Sequence, residues 1–156
     1  MARHVPGLIL DRDEWDAIRR EGGSPRAAER GFFVHDTWIY RRSTGSLFRN
    51  GLPVSEAQCY SGAPGHINDA RSEAFVGKGP IPIGVYWCLA PRRHPTLGPI
   101  AIPLDPAGSN EMFGRSGFYV HGDNVKQDRS ASQGCVICNA TTRAKFMKGD
   151  LFVVLP

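Results

Sequence analysis

Glycine and proline punctuate this chain from end to end, 18 of one and 12 of the other in 156 residues. Glycine loses the most backbone freedom in a regular element, and proline lacks the amide that a helix interior needs. A chain broken so often folds most readily as short strands joined by turns. The segments between the breaks have that texture. Phe33 to Tyr40 is aromatic and β-branched and reads as a strand. Ser43-Thr44-Gly45 turns it into a second strand through Leu47 and Phe48. Asn50-Gly51 is a hairpin signal that leads to a third strand reaching Cys59-Tyr60-Ser61. Gly84 to Leu89, Ile100 to Leu104, Phe118 to His121 and Leu151 to Leu155 supply four more.

Helical signals are few. Asp11 and Glu14 form a capping box that opens a helix over about 12–21, closed by Gly22-Gly23-Ser24-Pro25. A short turn is expected around Asp69 to Glu73, and a short helix over about 140–148 that Gly149 stops. No internal repeat and no linker divides the rest. The chain therefore reads as an N-terminal helical extension, residues 1–31, followed by one mainly β domain, residues 32–156, built as a sandwich or barrel with short helices.

Apolar residues make up 41% and charged residues 22%, which excludes a disordered chain and argues against membrane insertion. The net charge of +4 suits an anionic polymer or an acidic partner. Its basic pairs, Arg41-Arg42 and Arg92-Arg93, are not interleaved with stacking aromatics, so nucleic acid is not expected. The early apolar run from Val5 to Leu10 is short, interrupted by Pro6-Gly7 and followed by Asp11-Arg12-Asp13, unlike a cleavable leader.

Cys135 and Cys138 form a C-x-x-C, a pattern used for zinc or thiol–disulfide exchange. Zinc would want a second close pair, and Cys59 and Cys88 stand alone and far apart. Exchange would want a thioredoxin-like βαβ order, which is missing. Cys59, Cys88 and Cys138 thus read as small buried apolar side chains, and no metal or cofactor is expected. Cys135 differs, because Ser132, Gln133 and Gly134 before it are turn residues. Upstream, His121 ends an apolar stretch and is followed by Gly122-Asp123. A thiol nucleophile needs a base within reach and amides that can face a developing oxyanion, and this pair offers both.

Histidine before cysteine, across a short loop, is the reverse of the papain-like order. With Ser132-Gln133-Gly134-Cys135 it resembles the L,D-transpeptidase (YkuD-type) catalytic domain, whose signature is His-Gly followed by Ser-His-Gly-Cys. Further blocks are similar to the type VI secretion L,D-transpeptidase effectors. They are Trp38-Ile39-Tyr40, Ser43-Thr44-Gly45, Tyr60-Ser61-Gly62, Gly79 to Tyr86, and Gly114-Arg115 through Phe118 to His121-Gly122-Asp123. The resemblance spans about residues 36 to 155. It departs at Gln133, which stands where a second histidine is usual, and at Ile137, where Arg or Asn is usual.

The resemblance implies a peptidoglycan-modifying cysteine enzyme that attacks the bond before the terminal D-alanine of tetrapeptide stems, as an L,D-carboxypeptidase, an exchanging L,D-transpeptidase, or both. Cys135 would be the nucleophile, His121 its base and, as imidazolium, the depressor of its pKa, with the Gly122 carbonyl orienting the ring. The amides of Gly134 and Cys135 would hold the oxyanion, and Ser132 and Gln133 would shape the turn. Arg115 is the first candidate for the substrate carboxylate, with Tyr60, Ser61 and Asp123 beside it. Loops 62–78 and 105–116 would govern water access. The expected setting is an antibacterial effector made in the cytoplasm without a leader and acting in a target cell's periplasm, with a cognate immunity protein and a secretion carrier as partners. A phage or housekeeping wall enzyme, or a non-catalytic wall-binding β-domain, are the alternatives.

Overall fold

The computed structural model describes residues 35–156; the helix expected over 12–21, the extension 1–31 and the start of the first strand lie outside them. Ten strands run in chain order: β1 (Thr37–Arg41), β2 (Ser46–Arg49), β3 (Leu52–Pro53), β4 (Tyr60–Ser61), β5 (Gly84–Cys88), β6 (Arg92–His94), β7 (Gly98–Pro106), β8 (Tyr119–His121), β9 (Val136–Ile137) and β10 (Leu151–Leu155). A 3-10 turn at Ala70–Ser72 and one short helix, α1 (Ala140–Arg143), complete the elements among the described residues. The strands pair in the order β3-β2-β1-β10-β5-β7-β8-β9-β4, with β6 hydrogen-bonded to β7. Most neighbours are antiparallel, and two pairs, β1–β10 and β8–β9, are parallel.

The closing segment Leu151–Leu155 is apolar at every position because it is covered on both sides. Phe152 and Val154 join Trp38, Tyr40, Tyr86, Ile102, Val120 and Val136 in the larger core. Leu151, Val153 and Leu155 face the opposite way, onto Ile39, Phe48 and Val85. The larger core draws on both ends of the strand path, so the two halves pack over one interior as in a sandwich or partly closed barrel. Trp38 stacks on Phe146 with ring centroids 4.0 Å apart, and its indole nitrogen donates to the buried Asp150 carboxylate at 2.9 Å. Full burial of such a side chain contributes about 1.5–3 kcal/mol.

Two expectations about elements need correcting. The third strand is not continuous from Asn50-Gly51 to Ser61. The turn does form, with φ of 49° at Asn50 and 82° at Gly51, but β3 stops at Pro53. Tyr60–Ser61 instead pairs with β9 at the far end of the path. Pro53 has no amide to continue a ladder, which gives the break a local cause. The helix expected over 140–148 is one turn long: Asn139 caps its start by accepting the Thr142 amide, and regular helix ends at Arg143. Met147 then turns back to hydrogen-bond Asp150. Strand β6, through Arg92 and Arg93, was not legible because its residues are charged and largely exposed.

Candidate active site

The parallel pair β8–β9 sets the site. Val120 lies opposite Val136 and His121 opposite Ile137, so Cys135 falls beside Tyr119. Side chains alternate along a strand, and Val120 and Val136 fill the core. His121, Tyr119 and Cys135 therefore share the other face, the histidine and cysteine offset by two positions, about 7 Å of strand rise. The side chain of His121 is buried, while Cys135 is partly open. His121 Nδ1 lies 2.8 Å from the Gly122 carbonyl oxygen. That carbonyl can only accept, so Nδ1 carries the proton and Nε2 is the basic nitrogen. No hydrogen bond joins the two side chains among those described. The Cys135 thiol instead points at the Gly117 carbonyl, 3.9 Å away.

The turn before Cys135 is fixed from below. Ser132 is buried, and its hydroxyl accepts the amides of Gly62 (2.9 Å) and Gly134 (3.0 Å) while donating to the Cys135 carbonyl (2.6 Å). Ser61, equally buried, donates to the Gly134 carbonyl at 2.8 Å and accepts the Ile81 amide at 2.8 Å. Gly134 sits at φ 141°, and a Cβ there would lie 2.6 Å from the Arg115 guanidinium and 2.9 Å from the Phe118 ring. The sequence Ser-x-Gly-Cys is thus a packing solution as much as a chemical one.

Several expected roles change. The Gly134 amide is committed to Ser132 and is not an oxyanion donor in this arrangement, which leaves the Cys135 amide of the two. Arg115 is not open to a substrate carboxylate. Its guanidinium is buried, donates to the carbonyls of Glu73 (2.6 Å), Pro80 (2.8 Å) and Gly79 (2.7 Å), and reaches that of Gln133 at 3.4 Å. Ser61 is likewise occupied inside the protein. Tyr60 and Asp123 do meet, with the Tyr60 hydroxyl donating to the Asp123 carboxylate at 2.9 Å. Burial pushes the Tyr60 pKa up to about 12, so that hydroxyl stays protonated. Gln133 contributes its backbone carbonyl to Arg115.

The charge state of the pair also differs from the imidazolium–thiolate expectation. Burial raises the Cys135 pKa, and the Tyr119 amide and the Arg115 charge offset it only in part. Burial lowers the His121 pKa, opposed by the Gly122 hydrogen bond and reinforced by the positive charge of Arg143. Both shifts favour neutral thiol and neutral imidazole at rest.

Cys59 and Cys138, expected as separate buried residues, form a disulfide that ties the residue before β4 to the residue after β9. The C-x-x-C is therefore not a functional pair, and Cys135 remains free. A cleft of about 520 Å³ opens beside this disulfide, bounded by Tyr60, Gly122, Asp123, Arg129, Ile137 and Arg143. Cys135 is not part of its wall; Gly122 links it to the histidine. Arg129 and Arg143 were missed from the sequence. Arg143 reads there as one more basic residue on a short helix, with no local signal to set it apart.

Comparison with known proteins agrees with this architecture. The family model of the Tlde1 domain matches residues 55–152. No curated protein matches the chain. Among solved structures, the Ldtfm–avibactam carbamoyl enzyme superposes with a TM-score of 0.51 at 14% identity, over 80% of this chain and 50% of that one. Mycobacterium tuberculosis L,D-transpeptidase 1 gives 0.47 at 17% identity, over 78% and 62%. The L,D-transpeptidase of Xylanimonas cellulosilytica gives 0.48 at 16%, over 85% and 69%. This chain spans less than two thirds of the first two. The likeness fixes the fold as L,D-transpeptidase-like.

Proposed function

The chain belongs to the Tlde1 domain family, and from that premise we propose that it is a peptidoglycan-modifying cysteine enzyme acting on tetrapeptide stems. The observation that carries the reading is the placement of Cys135 and His121 on one face of the parallel β8–β9 pair, with Nδ1 held by Gly122. In this reading Nε2 takes the thiol proton as Sγ attacks the carbonyl carbon before the terminal D-alanine. The Cys135 amide faces the oxyanion. Collapse expels D-alanine, whose nitrogen receives the proton from His121, and leaves a thioester on Cys135. Attack by water then releases a tripeptide, and attack by the amine of a D-amino acid or a second stem gives exchange or a cross-link. A neutral resting pair suits this general-base route. The gap between the two side chains closes in the substrate complex, where catalytic hydrogen bonds commonly tighten.

We place the activity in the periplasm of a target cell, as an antibacterial type VI secretion effector with an immunity protein and a carrier as partners. The Cys59–Cys138 disulfide supports an oxidising destination, since such bonds persist outside the reducing cytoplasm. Mass spectrometry of purified muropeptides after incubation tests the chemistry. Loss of terminal D-alanine from tetrapeptides marks the carboxypeptidase, replacement by an added D-amino acid marks exchange, and unchanged muropeptides would refute both. Directing the chain to the periplasm of a susceptible cell tests the setting. Equal harmlessness of wild type and Cys135→Ala there would remove the toxin.

A further inference from the structure

The described residues include three buried arginines, and their partners differ. Arg115 spends its nitrogens on backbone carbonyls. Arg42 donates to the Ile81 carbonyl at 3.0 Å and pairs with Glu73 at 3.2 Å. The side chain of Arg143, only 8% exposed, makes one hydrogen bond among the described residues, from Nη1 to the Cys138 carbonyl at 3.2 Å. Among the described residues its buried Nε has no partner, and no carboxylate lies within ion-pair distance of the guanidinium. A buried guanidinium left so poorly compensated is costly unless something else supplies the anion. It lines the cleft, and its guanidinium packs on Gly122, where an added Cβ would lie 2.2 Å from Nη1.

Asp123 follows Gly122 in the chain and lines the same cleft. One carboxylate oxygen, Oδ1, accepts from the Tyr60 hydroxyl and the Asn124 amide, which leaves Oδ2 for a donor from the cleft. Arg129 adds a second cation, its guanidinium 5.1 Å from the centre of the Tyr60 ring. The cleft thus presents an unpaired buried cation and a half-used carboxylate beside one glycine, next to the histidine. Both charges reach His121 electrostatically, Arg143 lowering its pKa and Asp123 raising it. A simple anion would use only half of this arrangement. A group carrying ammonium and carboxylate on one carbon would use all of it.

We infer that the cleft beside Gly122 binds the zwitterionic head of an α-amino acid, Arg143 taking the carboxylate and Asp123 the ammonium. The inference rests on the stem-peptide reading and names a part of the substrate that the site recognises. Two sources present this chemistry: the free distal end of a diamino-acid side chain within the stem, and a free D-amino acid arriving as acceptor. Only Arg143 and Asp123 need touch either one.

The experiment uses the full chain carrying Cys135→Ala, so that binding is read without turnover. A diaminopimelate-containing tetrapeptide is titrated calorimetrically, and the Arg143 Nε–H resonance is followed by 15N-correlated NMR. The peptide should move that resonance. Adding Arg143→Gln should weaken binding at least tenfold, and Arg143→Lys should weaken it less. A peptide whose distal amine is acetylated and distal carboxylate amidated should bind the Arg143-containing protein as weakly as the intact peptide binds Arg143→Gln. Free D-alanine that moves the same resonance and competes with the peptide assigns the head group to the acceptor; movement by the peptide alone assigns it to the stem. An unmoved Nε–H resonance with both ligands overturns the inference, and it is read on intact Arg143 even if the glutamine variant fails to fold. Muropeptide turnover by the unmutated enzyme is scored separately. Turnover without a resonance shift removes this site and leaves the enzyme, and a shift without turnover does the reverse.

Discussion

The Ser132 hydroxyl donates to the Cys135 carbonyl oxygen at 2.6 Å, closing a turn whose two other bonds come from the amides of Gly62 and Gly134. One buried hydroxyl therefore fixes the backbone on both sides of Gly134 and ties it to the end of β4. Ser132→Ala leaves two amides and one carbonyl without that partner in the interior. Denaturant unfolding should show a loss of about 2–3 kcal/mol. Turnover of tetrapeptide stems should fall by about a hundredfold, as expected when a nucleophile shifts by an ångström. Unfolding and turnover both at wild-type levels would show that the turn holds without the hydroxyl.

Arg115 offers a sharper discrimination. Its guanidinium binds carbonyls from Glu73, Gly79 and Pro80 and packs against Phe118 with 5.1 Å to the ring centre. Its charge also helps to hold the Cys135 pKa down. Arg115→Met should lower stability by about 2–4 kcal/mol, by orphaning buried carbonyls. It should reduce kcat and leave KM near its wild-type value. A raised KM with unchanged stability would restore Arg115 as a substrate ligand.

The strands were legible where apolar runs are bounded by turn residues, as at Leu151–Leu155, because two-sided burial leaves no polar position to confuse the pattern. The candidate pair stood out for a different reason: His121 ends an apolar run and Cys135 follows a polar turn, and the fold sets them at the end of β8 and just before β9. What pairs across long separations was not. Cys59 and Cys138 are 79 residues apart, and nothing local tells a bonded cysteine from a buried one. The same holds for arginine. Arg115 lies within a recognisable block and turns inward to carbonyls 35–42 residues away, whereas Arg143 lies in no block and faces the cleft. Burial and partners decide those roles, and both are products of the whole fold.

The directions of the two pKa shifts fix a pH signature. His121 is held below its ordinary value, so it stays neutral and basic further into the acid range than a free histidine. The acid limb of kcat/KM should accordingly lie below pH 6.5. Between the lowered value and the ordinary one, the unfolded chain binds a proton that the folded chain refuses. Stability from this group is thus intact above the ordinary histidine range and is lost as pH falls below it, an effect that His121→Gln should remove. Cys135 is held above its ordinary value, so iodoacetamide alkylation in the free enzyme should rise above the usual thiol range. Cys88 is buried and its pKa raised as well, which keeps it from masking the signal. An inflection below the ordinary thiol value would demonstrate a resting thiolate–imidazolium pair instead.

The disulfide yields the last test, because it joins segments flanking both the turn and the cleft. Cys59 precedes β4, whose Tyr60 and Ser61 hold Asp123 and the Gly134 carbonyl, and Cys138 follows β9 and supplies the carbonyl that Arg143 grips. Removing a cross-link over 79 residues returns loop entropy to the unfolded chain, about 4.5 kcal/mol in the chain-entropy treatment. Cys59→Ser/Cys138→Ser should therefore unfold at lower denaturant than wild type in oxidising buffer. Dithiothreitol should lower the wild-type midpoint to that of the double variant and leave the variant unmoved. Stem binding should weaken in parallel, since β4 and β9, paired through Tyr60 and Ile137, both line the cleft. A wild-type midpoint that ignores the reductant would show that these sulfurs are not bonded in solution, and with that the support for an oxidising destination would go.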